Sequence, residues 1–497
     1  MAVFWRGMAG EKVCKMSSSH DSGSIYIEET GNRRKRFAKL HEFTQSSTKA
    51  AAIMLLAAVV ALIVANTGAC EGFNAFWNTE VSIGFGSSQA SMSLSLIIND
   101  IFMAVFFLSV GLEIKFEMSV GQLSEIRQAI LPIGAAFGGV TMPLVIYLII
   151  NSGHPDTIGG WGVPTATDIA FALGVLSLLG SKVPSGVRVF LSTLAVADDI
   201  IAIFIIAIFY GQSPSAMWLL ITLGVVLVLA AMNRLRIYSL VPYLLVGCVL
   251  WYCIFMSGVH STISGVVLAF AIPSTTVVKG GLFGSWSGKR AKAAANSYSP
   301  GAPVMGQEEF LENAASLAKV SRDAVPPAVR LERALSPWVN FLVLPLFALT
   351  NANVTVTSLS AATIFECPVF YGVFFGLMVG KPLGIMLVSR LIVRSGLSKL
   401  PENVTWSHMM GAAMLGGVGF TMAIFVANLS FVDPTFTVVA KVAILMGSAA
   451  SGILGCSFLF LRSKASAIKE EIHDVTDKAK ASMNVNSGDK VQTHGSM

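Results

Sequence analysis

Long apolar runs separated by short polar stretches recur from residue 49 onward, and their spacing decides the class of the chain before any motif is read. A helix needs about 20 mostly apolar residues to cross ~30 Å of hydrocarbon. Twelve stretches qualify as spans 1 to 12: 49–66, 95–115, 129–150, 159–180, 185–210, 216–232, 238–256, 257–273, 338–352, 364–388, 408–431 and 435–461. The run 238–273 is nearly continuous and would make a helix of about 54 Å, too long for one crossing, so a turn at Ser257-Gly258 divides it into two spans. The pattern predicts an all-α polytopic membrane protein of twelve transmembrane helices. Between spans 1 and 2 the period changes: V-S-I-G-F and S-M-S-L-S-L alternate around Gly86-Ser87-Ser88, which predicts a hairpin within 79–94.

Composition sharpens this. The chain is 54% hydrophobic and 12% charged, against roughly 25% charged for an average soluble protein. More than half of the charged side chains lie outside 49–273 and 335–462. A soluble enzyme, a nucleic-acid binder and a disordered scaffold are excluded. Of the 34 Lys and Arg, all but Lys381 and Lys441 fall in the tails or beside the connections after spans 2, 4, 6, 8 and 10. The other connections carry none, even 67–94, which is long and holds Glu71 and Glu80. Basic residues favour the cytoplasmic side, so both termini are expected there, and the net charge of +6 reflects topology.

The expected organisation is a cytoplasmic tail 1–48, a transmembrane domain 49–461 carrying a cytoplasmic linker 274–337, and a cytoplasmic tail 462–497. The first tail has no apolar core of a cleaved leader. An amphipathic helix is predicted at 307–322 within the linker, and a helical start for the last tail. The six cysteines form no C-x-x-C or metal-type spacing.

Charges within the spans point to chemistry, because an ionisable residue near the bilayer centre costs roughly 2.5–3.5 kcal/mol. Counted at about 1.5 Å per residue from the cytoplasmic ends of their helices, Asp168 in span 4, Asp198 in span 5 and Lys381 in span 10 lie at depths of about 18, 20 and 14 Å. Asp199 adjoins Asp198, and Asp100 lies in span 2. Asp168, Asp198, Asp199 and Lys381 sum to minus two when ionised, a cluster suited to protons or a small cation. Backbone breakers coincide with them: Pro164 precedes Thr167-Asp168, and span 11 reads M-L-G-G-V-G-F-T-M with Gly416, Gly417 and Gly419. Spans 4 and 11 are each expected to break midway. Each is the middle member of a three-helix set, 3-4-5 and 10-11-12, and the sets begin on opposite sides of the membrane. Inverted repeats of this kind point to a midplane transport site. A buried Asp then offsets the facing half-helix N-termini and a buried Lys the C-termini, with Asp168 and Lys381 as candidates. Close helix packing is the competing explanation for the glycines of span 11.

T-A-T-D-I-A-F-A-L-G-V-L-S-L-L-G (165–180), L-A-V-A-D-D (194–199), I-N-D-I-F-M-A-V-F-F-L-S-V-G-L-E (98–113), S-G-V-H (257–260), G-K-P-L-G-I (380–385) and G-V-G-F-T-M-A-I-F-V-A (417–427) resemble the NhaA-type Na+/H+ antiporters, in family order over about 49–461. That family is itself a known inverted-repeat fold, so the two readings are not independent. The resemblance implies a twelve-span antiporter of the bacterial cell (inner) membrane, with no cofactor, exchanging Na+ or Li+ for protons. It implies ion and proton binding at Asp198 and Asp199, with Thr167 and Asp168 on the broken helix and Lys381 beside the pair. Asp100 matches an acidic position of span 2, and Glu113, Glu117 and Glu332 match a charged cytoplasmic funnel linked to pH activation. Arg333 and Ser336 stand where familiar members have histidines, so a pH threshold does not carry over. The hairpin resembles the family's dimer contact and implies a homodimer.

Plainer roles compete at several positions. Asp168 and Lys381 can be structural charges, Asp100 a polar interhelical contact, Glu113 and Glu117 a solvated face, and His260 a packing residue rather than a pH sensor. Other functional classes fare worse. An aspartyl intramembrane protease needs two carboxylates from two elements flanking one water, whereas adjacent helix residues diverge by about 100°. No G-x-S-x-G elbow supports a serine type around Ser257–Ser264. A passive cation channel is the nearer alternative, separated by whether flux is proton-coupled.

Overall fold

The computed structural model describes residues 43–488 except 45, 68, 86–87, 181–182, 212–213, 356–360 and 402. Among them, nine helices are long and apolar enough to cross a membrane, and eleven crossings result when each of two bent helix pairs is taken as one. The protein is an all-α, multi-pass integral membrane protein. Ile208, Leu220, Leu227 and Leu245 are each more than 60% exposed, an apolar surface that suits lipid rather than water.

The expected count of twelve is therefore not reached by length alone. Residues 257–273 contain only the nine-residue helix Ile263–Ala271. The turn before it lies where the sequence put it: helix Leu240–Ser257 ends on Gly258 with φ 81°, a left-handed cap that glycine adopts without a Cβ clash. Span 2 then holds the short helix in place. The Lys115 ammonium donates to the carbonyls of Phe270, at 2.8 Å, and Ile272, placing a cation on the helix's negative end. Span 9 also differs, since its helical stretch runs Pro327–Asn351 and begins inside the expected linker. Pro327 occupies the first helical position, where its missing N–H has no partner to lose.

Two bundles organise the chain. Spans 3 and 10 pack along each other, with span 10 also against span 12, while spans 1 and 9, and 2 and 8, pair with each other. The first crossing is close because a Cβ on Gly384 would come within 2.0 Å of the Gly138 carbonyl oxygen. Turns of wide π geometry occur at Val339–Val343 and Gly376–Gly380, shortly before Pro345 and Pro382. A proline removes an i→i−4 hydrogen bond, and local widening is one way to absorb that loss. The hairpin is present as strands Glu80–Phe85 and Ser88–Ser93, antiparallel with Glu80 opposite Ser93. The linker folds into helices Gly280–Ser297 and Glu308–Asp323, packed together and joined by the Arg290 guanidinium donating to Asn313 at 2.8 Å. The last helix starts at Pro434 and continues to Gly488, past the expected end of span 12.

Candidate functional site

Both expected breaks are present. In span 4 the tight 3₁₀ segment Pro155–Thr165, shaped by Gly159, Gly160, Gly162 and Pro164, meets helix Ile169–Leu178 at 47°. In span 11, Trp406–Gly416 meets Phe420–Ser430 at 44°. The two breaks lie against each other, and the backbone N–H of Asp168 donates to the Val418 carbonyl at 2.8 Å. Each second half-helix begins here with unsatisfied N–H groups, and the Asp168 carboxylate answers both. Its Oδ1 accepts from the Phe171 N–H at 3.0 Å, capping its own half-helix. Its Oδ2 accepts from the Thr421 N–H at 3.1 Å and from the Thr421 hydroxyl, capping the other. The Ser448 hydroxyl accepts from the N–H groups of Gly419 and Phe420 at 3.2 and 3.1 Å, completing the second cap. Two helix N-termini, each equivalent to about half a positive charge, thus share one carboxylate.

A second group adjoins the first. The Lys381 ammonium donates to Asp198 Oδ2 at 2.6 Å and to the Thr167 hydroxyl oxygen. The Thr167 hydroxyl also contacts Asp198 Oδ2 and, at 3.2 Å, the carbonyl of Gly416, which ends the first half of span 11. A hydroxyl carries one proton and serves these acceptors one at a time. Thr167, Asp168, Asp198, Asp199 and Lys381 are each 1–4% exposed, so water reaches none of them freely. Asp198 Oδ1 is buried without a hydrogen-bond partner among the described residues. Asp199 lies within electrostatic reach of Asp198, Glu113, Asp168 and Lys381. No cluster of three or more His, Cys, Asp or Glu converges as a metal site among the described residues.

The remaining candidates make no hydrogen bond to this group, although Glu113 is within electrostatic reach of Asp199. Asp100 sits in the wide turn Ile97–Phe102 and accepts from the Ser261 hydroxyl at 3.1 Å. His260 Nε2 meets the Tyr210 carbonyl at 2.6 Å, while the Tyr210 hydroxyl donates to Gly159 and accepts from Gly162, both at 2.9 Å, fastening the 3₁₀ half of span 4. Glu117 accepts from the Gln122 N–H at 3.2 Å, and Glu113 is flanked electrostatically by Glu332 and Glu117. Ser336 accepts from Asn340 at 3.3 Å, and Arg333 is exposed. Sequence reasoning passed over Thr421, Ser448 and Tyr210. Only Thr421 carried a usable signal, a hydroxyl two residues after the breaking Gly419, where caps are needed.

A polytopic helical protein whose two broken spans cross on a dry cluster of carboxylates and an ammonium has the construction of a midplane ion transporter. The family described as Na+/H+ antiporter 1 matches residues 41–459. The chain is 41% identical over 421 residues to the Na+/H+ antiporter NhaA of Oleidesulfovibrio alaskensis, covering 85% of this chain and 93% of that one. It is 42% identical over 439 residues to the protein of the same name from Helicobacter pylori, covering 87% and 97%. To that of a Janthinobacterium species it is 41% identical over 429 residues, covering 86% and 94%. The chain belongs to the Na+/H+ antiporter 1 family.

Proposed function

We propose that this protein is a secondary transporter exchanging Na+ or Li+ for protons, with Asp198 and Asp199 as the exchange site. The observation that carries the reading is the buried Asp198-Asp199 pair, with Lys381 bonded to Asp198, at the crossing of two broken spans. A dehydrated carboxylate takes a proton or a cation on the same oxygens, and that competition gives exchange when access alternates between the two sides. Apparent Na+ affinity therefore rises with pH. Two carboxylates serving one Na+ make the exchange electrogenic. Thr167 and backbone oxygens complete the ion's shell, Asp168 sets the electrostatics of the breaks, and Lys381 compensates Asp198 while Na+ is absent. Glu113, Glu117 and Glu332 form the cytoplasmic approach. The closed state of all five central side chains supports alternating access over an open channel. The distribution of Lys and Arg supports a cytoplasmic membrane location with both termini inside, and the hairpin offers a strand edge to a second copy.

The test uses everted membrane vesicles with an imposed pH gradient, to which Na+, Li+ and K+ are added separately. The unmodified chain dissipates the gradient with Na+ or Li+, and Asp199→Asn abolishes the response. A correctly folded Asp199→Asn protein of near-normal activity overturns the assignment, and flux indifferent to an imposed membrane potential overturns electrogenicity.

A further inference from the structure

Two layers of side chains join the half-helix Phe420–Ser430 to spans 2 and 9. In one, the Phe425 ring lies 5.8 Å from Phe107 of span 2 and 6.3 Å from Phe347 of span 9. In the other, Asn351 of span 9 links both neighbours: its amide donates to Asn99 of span 2 at 2.7 Å, and its oxygen accepts from Asn428 at 2.7 Å. Each layer takes one residue from each of the same three elements. Thr421, Phe425 and Asn428 follow helical spacing, so one stripe of the half-helix carries the bond to Asp168, then the aromatic layer, then the amide layer. The amide layer lies at the end of span 9 and the start of span 2, which the Lys and Arg distribution assigns to the external side.

The layers also mark a seam. Spans 2 and 9 pack with spans 8 and 1, whereas the half-helix packs with span 12 and the first half of span 4. Asn351 is 3% exposed, but Asn99 and Asn428 are only half-buried, so water can replace their bonds when the seam opens. We infer that Asn99, Asn351 and Asn428 form a latch that holds the exchange site shut toward the external side, and that its release accompanies opening to that side. These are positioning residues: they touch no transported ion and act through the half-helix that carries Thr421, which bonds to Asp168 across the break.

The inference rests on the exchange reading and is tested with the full chain in both vesicle orientations, measuring apparent KM for Na+ from each face. Asn351→Leu removes both bonds while keeping the branched shape and the number of heavy atoms, and Asn428→Ala removes one at a half-buried position where truncation is tolerated. Each net hydrogen bond lost shifts the closed-to-open ratio roughly fivefold, and apparent affinity follows the fraction of open sites. The expected result is a fall in the ratio of external to internal KM, roughly fivefold for Asn428→Ala and larger for Asn351→Leu. A merely structural role lowers the amount or rate of transporter from both faces and leaves that ratio unchanged, and this outcome overturns the latch. Should Asn351→Leu fail to accumulate, Asn428→Ala alone decides. Failure of the unmodified chain to couple Na+ to protons overturns the exchange reading instead.

Discussion

Replacing Lys381 by Met tests the charge balance of the site most directly. Met retains most of the stem and loses the ammonium, which is 1% exposed and donates at 2.6 Å to an Asp198 that is 3% exposed. Removing one partner of a buried pair costs about 3–5 kcal/mol, mostly because the other charge is left uncompensated. Lys381→Met should lose stability in that range. Asp198→Asn should lose a comparable amount, since it strands the ammonium. Together they should lose much less than the sum, with a coupling of about 2–3 kcal/mol. Lys381→Arg retains the charge, yet a larger guanidinium in so closed a place adds roughly 1–3 kcal/mol of overpacking, leaving it between Met and the unmodified chain. The assay is unfolding of purified protein on titration from mild detergent into a denaturing one, at fixed pH and without Na+. Single costs that add within about 0.5 kcal/mol in the double variant refute the pair as an energetic unit. Arginine also separates two roles in transport, because it keeps the charge but does not release a proton in proteins. Voltage-dependent exchange that survives Lys381→Arg shows that the lysine need not carry the proton.

What the sequence revealed was local or conspicuous. Pro164 and the glycines at 416, 417 and 419 lower the cost of leaving the helical path where they stand, and both bends are there. Gly258 ends its helix through its own backbone freedom, and the alternation of 79–94 marked a hairpin because period two differs from period 3.6. Asp168, Asp198, Asp199 and Lys381 stood out because buried charge in a membrane is expensive. Their mutual arrangement was not legible. Thr421 reaches Asp168 across 253 positions and Asn351 reaches Asn99 across 252. A buried Thr or Asn in a span looks like any other until its partner is in place, since neutral polar residues bond equally well to backbone, side chain or water. Span 9 was placed too late for a related reason. The first turns of Pro327–Asn351 carry Arg330, Glu332 and Arg333, so hydropathy hides a helix that continues past the apolar stretch. The eighth span was overestimated because apolar composition alone cannot distinguish a helix from the irregular chain that leads into it.

Gly384→Ala should be far more damaging than its size suggests, because the new methyl would meet the Gly138 backbone where spans 3 and 10 cross. A loss of about 1–3 kcal/mol or more is expected, while Gly280→Ala in the linker, which meets nothing within 4 Å, should be neutral; equal thermal stability of the two variants refutes the close-crossing argument. Asp168→Asn should raise the apparent KM for Na+ more than it lowers the maximal rate. The carboxylate accepts from Phe171 and twice from Thr421 on two oxygens, whereas an amide offers one acceptor and turns an N–H donor toward one of these groups. One half-helix N-terminus then loses its cap and both lose the compensating charge, so the breaks that place Thr167 shift. At up to about 1.4 kcal/mol for such a charge at a partly buried helix end, the change in KM is roughly tenfold. Initial rates over a range of Na+ concentrations separate the two parameters, and an Asp168→Asn protein that stays silent at saturating Na+ would mean that Asp168 belongs to the obligatory exchange site instead.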